Sequence, residues 1–89
     1  MQKNPKLIVY ALEFCPNCDL LKGFLKKGGY AFTERDLSTA ESLTELRLNG
    51  VFVSEAPVLQ KDEDFYTSAD LFPLGKLDDT HITHLIAGE

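Results

Sequence analysis

The period of apolar and polar positions changes several times along the chain. The run KLIVYAL at 6–12 is apolar at nearly every position and includes the β-branched Ile8 and Val9. A short run with no polar face reads as a strand covered on both sides, the centre of a sheet flanked by helices. After it the period lengthens. Leu20, Leu21, Phe24 and Leu25 recur at helical spacing, with Lys22, Lys26 and Lys27 on the other face and in the last turn. Pro16 suits a first helical turn, where its missing N–H costs nothing, and Gly28 and Gly29 end the helix. YAFTERDL at 30–37 alternates as a second strand. In STAESLTELRLNG, Ser38 and Glu41 form a capping box, Leu43 and Leu46 supply the apolar face, and Gly50 closes the helix. APVLQ at 56–60 and DFYT at 64–67 read as a hairpin turned by KDED. Ser68 is placed to cap a short helical turn that Pro73 interrupts. Asp78 or Asp79 is placed to cap a last helix carrying Ile82, Leu85 and Ile86.

The predicted order is β-α-β-α-β-β-α, an α/β chain in three layers. The βαβ half makes the first two strands parallel with a right-handed crossover, and the hairpin adds antiparallel pairing. The result is a four-stranded mixed sheet with helices on both faces. At 89 residues, with no internal repeat or linker, residues 1–89 form one domain.

Composition narrows the function. The net charge is −5, from 14 acidic and 9 basic residues. No cluster of Lys or Arg offers a face for nucleic acid, and phosphate would be repelled. The longest apolar stretch, LIVYAL, is too short to span a bilayer. MQKNPK is followed by no leader-like apolar region and cleavage site, so a cytoplasmic protein away from membranes is the expectation. In that compartment a pair of cysteines is catalytic or metal-binding more often than a structural staple.

Both cysteines fall in FCPNC, at the start of the first helix and directly after the first strand. The thiolate is the reactive form, and a free thiol with a pKa of about 8.5 is mostly protonated at neutral pH. The unpaired N–H groups and positive dipole end of a helix N-terminus favour the Cys15 anion. Cys18, one turn on, is placed to donate its S–H to the Cys15 sulfur. Glu13 works the other way, because a nearby negative charge opposes ionisation. Cys15 is therefore the expected nucleophile and Cys18, deeper in the helix, the resolving thiol. The i, i+3 spacing lets the two sulfurs reach bonding distance. Two other readings compete. The cysteines can be small apolar core residues. They can also bind metal, with His81 and His84 as an H-x-x-H pair on the last helix, although the separation far exceeds that of zinc-finger ligands.

IVYALEFCPNCDLLKGFL resembles the opening of a glutaredoxin, whose active site reads C-P-x-C after a strand ending in an aromatic. EAPVL is similar to the segment in which that family places a cis-proline before its third strand, and TSADLF stands where it carries Gly-Gly followed by Asp. The resemblance spans nearly the whole chain. It implies a thioredoxin-like, glutaredoxin-type fold and thiol–disulfide exchange with no cofactor. By position, Cys15 matches the nucleophile, Cys18 the resolving cysteine and Pro57 the cis-proline facing the disulfide. The backbone of Ala56 matches the group that pairs with bound peptide or glutathione, and Asp70 the residue near the γ-glutamyl group. Pro16, Asn17, Thr67 and Ser68 complete the implied substrate-binding set.

The departures are informative. Leu12 replaces a lysine that would lower the thiol pKa and hold a substrate carboxylate. Thr67 and Ser68 replace the Gly-Gly and would crowd the helix N-terminus. Asn17 replaces an aromatic, and the loop NGVFVSEAP is about two residues longer than family loops. These features weaken glutathione binding. They resemble the glutaredoxin-like redoxins that serve ribonucleotide reductase and take electrons from a flavoprotein or ferredoxin-linked disulfide reductase. The implied partners are a disulfide-containing client and such a reductase, with the chain acting as a monomer. A glutathione-dependent glutaredoxin is the first alternative. The second is a module binding metal, or an Fe–S cluster shared between two protomers through Cys15; such clusters take four thiolate-type ligands.

Overall fold

A computed structural model describes residues 6–52 and 55–87. The chain runs β1 (Leu7–Ala11), α1 (Pro16–Lys27), β2 (Thr33–Asp36), α2 (Ala40–Leu48), β3 (Val58–Lys61), β4 (Asp64–Tyr66), α3 (Ser68–Leu71), a 3₁₀ turn (Pro73–Gly75) and α4 (Asp79–Ala87). The sheet order is β2-β1-β3-β4. β1 pairs parallel with β2, Ile8 opposite Thr33, and antiparallel with β3, Tyr10 opposite Val58. β3 and β4 form the hairpin. This is the mixed α/β architecture expected from the sequence. The loop-length expectation includes Val53 and Ser54, and these lie outside the described residues, as do residues 1–5 of the N-terminal segment.

All five residues of β1 are buried, as a central strand requires. Its alternate side chains enter two separate cores. Leu7, Val9 and Ala11 pack with Leu21 and Leu25 of α1, Leu59 of β3, Leu71 of α3, and Ile82 and Ile86 of α4. Ile8 and Tyr10 pack on the opposite side with Leu46 of α2, Leu37 and Val58. The sheet is thus covered on both faces.

Several local expectations shift. The buried stripe of α1 is Cys18, Leu21 and Leu25, while Leu20 is 54% exposed. Spacing of three and four from Cys18 places that thiol, rather than Leu20, on the sheet-facing side. The second strand shrinks to Thr33–Asp36, entirely exposed at a sheet edge, while Tyr30 and Phe32 pack on the first core without entering the strand. α2 is capped by Thr39, whose Oγ1 accepts from the Ser42 N–H at 3.1 Å, in place of the predicted Ser38–Glu41 box. Ser38 is drawn off by Asp36, which accepts from its N–H at 2.8 Å and its hydroxyl at 2.6 Å. In the hairpin, Lys61 and Asp64 belong to the ladder, so the turn is Asp62–Glu63, with Asp62 at φ 53°. The cap of α3 is Thr67 rather than Ser68, whereas Asp78 opens α4 as expected, accepting from the His81 N–H at 3.0 Å.

Candidate active site

The site forms where β1 hands over to α1. Cys15 is the N-cap of α1, in extended conformation at φ −114° and ψ 100°, and Pro16 follows in the first turn. The N-cap position points the Cys15 side chain back at the free amides of the first turn. Its Sγ accepts from the Cys18 N–H at 3.1 Å. Cys15 and Cys18 are joined as a disulfide with their Cα atoms 5.2 Å apart. Their exposures differ sharply: Cys15 is half-buried, whereas Cys18 is 1% exposed and belongs to the first core.

The third wall is the start of β3. The Ala56–Pro57 bond is cis, as the resemblance implied, and Pro57 is fully buried. The Ala56 carbonyl oxygen lies 3.9 Å from Cys15 Sγ. Ser68, from α3, donates its hydroxyl to the Pro57 carbonyl at 3.0 Å. A residue expected to crowd the site thus ties α3 to its proline. Asp70 accepts from the Thr67 N–H at 3.0 Å and is exposed. Asn17 is half-buried in the first turn of α1, and Leu12 is half-buried against the second core.

Two dipoles compete for the charge on a reduced Cys15. The Cys18 amide at 3.1 Å stabilises the thiolate, and the Ala56 carbonyl at 3.9 Å opposes it. The amide is the nearer of the two and stands at hydrogen-bonding distance. The sequence reading names both the helix-terminal N–H groups and the Cys18 S–H for this role, and the backbone amide of Cys18 is one such group. Glu13 is exposed, so water and salt screen its charge and its opposition is weak.

No family model matches the chain, and no curated protein matches it. Its chemistry is therefore read from its own geometry.

Among the described residues, no three His, Cys, Asp or Glu side chains gather as a metal site. His81 and His84 are exposed on α4, while Cys18 is buried in the core, so the four candidate ligands do not form a set.

One residue beside the site figures in the sequence reading only as an aromatic at the end of the strand. Phe14 sits directly before Cys15 at φ 54° and is 98% exposed. The left-handed region costs a side chain of this kind about 1–2 kcal/mol, and the ring recovers nothing by burial. The signal was an aromatic residue between the end of an apolar strand and a helix N-cap. Phe14 borders a groove of about 490 Å³ between α1 and the edge strand β2, lined also by Ala11, Leu12, Glu13, Asp19 and Lys22. Lys22 bonds Glu34 of β2 at 2.9 Å, and that bond, with the nearby Asp19, holds its pKa above the usual lysine value.

Proposed function

We propose that this protein is a small dithiol carrier that reduces protein disulfides by thiol–disulfide exchange, a glutaredoxin-like redoxin with a thioredoxin-like fold. The observation that carries the reading is the asymmetric cysteine pair: a half-exposed Cys15 whose sulfur accepts a helix-terminal amide at 3.1 Å, bonded to a buried Cys18. In the reduced protein the Cys15 thiolate attacks one sulfur of the client disulfide. That S–S bond breaks, a mixed disulfide forms, and the first client thiolate leaves and takes a proton. Cys18, having lost its proton, then attacks the Cys15 sulfur and expels the second client thiol. Two electrons pass to the client, and the Cys15–Cys18 disulfide remains. A reductase must return two electrons to complete the cycle. A flavoprotein or ferredoxin-linked disulfide reductase suits this role, ribonucleotide reductase suits that of client, and the cytoplasm is the fitting compartment. No helix among the described residues is long and apolar enough to cross a membrane.

Glutathione is the less suited reductant. The Thr67 N–H, which would meet a substrate carboxylate, is taken by the Asp70 carboxylate at 3.0 Å. Leu12 offers no positive charge.

The test is reduction of insulin disulfides with dithiothreitol as electron source, wild type against Cys15→Ser. Turnover in the wild type and its loss in the variant are expected, and turnover that survives Cys15→Ser ends the reading. Rapid recycling of the oxidised protein by millimolar glutathione and glutathione reductase would move the assignment to a glutathione-dependent enzyme.

A further inference from the structure

Phe14 is unexplained by the reaction just described. Its φ of 54° suits glycine, and a 98% exposed ring contributes nothing to either core. Strain of this kind persists where a function requires it. Phe14 stands one residue before the half-buried Cys15 and borders the groove between α1 and β2, so a polypeptide whose disulfide reaches Cys15 Sγ needs only a short extension of its flanking segment to meet the ring. The occupant of this apolar spot is then the substrate itself. Exposed carboxylates flank the approach: Glu13 before Phe14, Asp19 after Cys18, and Glu55 beside Ala56. They fix the sign of the charge that best accompanies the disulfide.

We propose that Phe14 is the specificity-determining contact for the client: its ring seats against an apolar side chain next to the client's disulfide, in a segment that also carries a basic residue. The inference rests on the exchange reaction proposed above and names its substrate class, a polypeptide disulfide with an apolar and a cationic neighbour. A small neutral disulfide reacts without using the ring. An anionic one meets the carboxylates.

The experiment uses the reduced full chain and three short peptides, each closed by one disulfide. The first has Leu beside a cysteine and a Lys, the second Ser in place of Leu, the third Glu in place of Lys. Bis(2-hydroxyethyl) disulfide is the small reference. In the wild type, the Leu peptide is expected to react about tenfold faster than the Ser peptide, the factor set by about 1.4 kcal/mol of apolar contact. The Lys peptide should outrun the Glu peptide at low salt, the gap closing as salt rises. In Phe14→Gly, the ratio of the Leu-peptide rate to the reference rate should fall by about the same tenfold. Phe14→Leu should restore part of it. Phe14→Gly should also melt at or above the wild-type temperature, because glycine accepts this backbone conformation freely. An unchanged ratio in Phe14→Gly overturns the proposal, as do equal wild-type rates for the Leu and Ser peptides. A Phe14→Gly variant that melts below the wild type also overturns it, because the ring would then be supporting the fold. Failure of the underlying reaction looks different: the wild type then reduces none of the four disulfides.

Discussion

At the scale of single residues, the two cysteines are chemically identical and differ only in setting. Cys18 is walled in by the first core, and Cys15 shares its sulfur with solvent and with an amide. Cys18→Ser therefore leaves the first attack intact and removes the second, so the variant should accumulate as a covalent adduct with insulin chains. Intact-mass spectrometry reads this directly, and an absence of adduct would reverse the roles of nucleophile and resolver. Tyr10 offers a different single-residue test. It is fully buried, with its hydroxyl donating to Gln60 Oε1 at 2.9 Å. Burial pushes its pKa up, partly offset by the nearby Arg35 charge. The folded state thus holds the phenolic proton more tightly than the unfolded chain does. That contribution is complete below the unfolded value of about 10, and it is lost as the pH rises through the folded value. Urea midpoints measured from pH 9 to 11.5 should fall steeply for the wild type and less steeply for Tyr10→Phe.

At the scale of elements, caps decide where helices begin, and here sequence patterns mislead by one position. Ser38 and Glu41 have the right spacing for a capping box. Asp36, two residues earlier, takes the Ser38 N–H and hydroxyl into its own turn and leaves Thr39 to cap α2. Thr39 Oγ1 also donates to the Asp36 carbonyl at 3.0 Å, so one side chain closes the loop and opens the helix. Thr39→Ala should cost about 1 kcal/mol, a fall in melting temperature of roughly 4–8 °C for a domain of this size. Differential scanning calorimetry checks it, and no change would mean the loop, not the cap, sets the start of α2. The edge strand shows the opposite limit of pattern reading. Thr33–Asp36 has the sequence TERD and buries nothing, so the alternation read across YAFTERDL located a strand without marking its ends. Its boundaries come from pairing with β1, information that local sequence does not hold. A charged, exposed edge also discourages pairing with a second chain.

At the scale of the whole molecule, much of the architecture was legible because the strongest signals agree with one another. An apolar run without a polar face became the central strand, and the cysteines, proline and leucines after it became a helix packed on that strand. The mixed sheet followed from the element order. The candidate site was legible only in part. Cys15, Cys18 and Pro57 can be found by type and spacing. The approach of Ala56 to Cys15 joins positions 41 apart in sequence, and the Ser68–Pro57 bond spans 11. Such contacts are products of sheet order. Phe14, which stands with the cysteines in FCPNC, has no role of its own in the sequence reading, because only the backbone angle and exposure single it out.

The sheet order has a last consequence, for the nascent chain. β1 lies between a neighbour made soon after it and another, β3, that begins only at Val58. The residues that bury Cys18 include Leu71 and Ile82, synthesised later still. A chain leaving the ribosome therefore carries the Cys18 thiol uncovered until these later elements emerge.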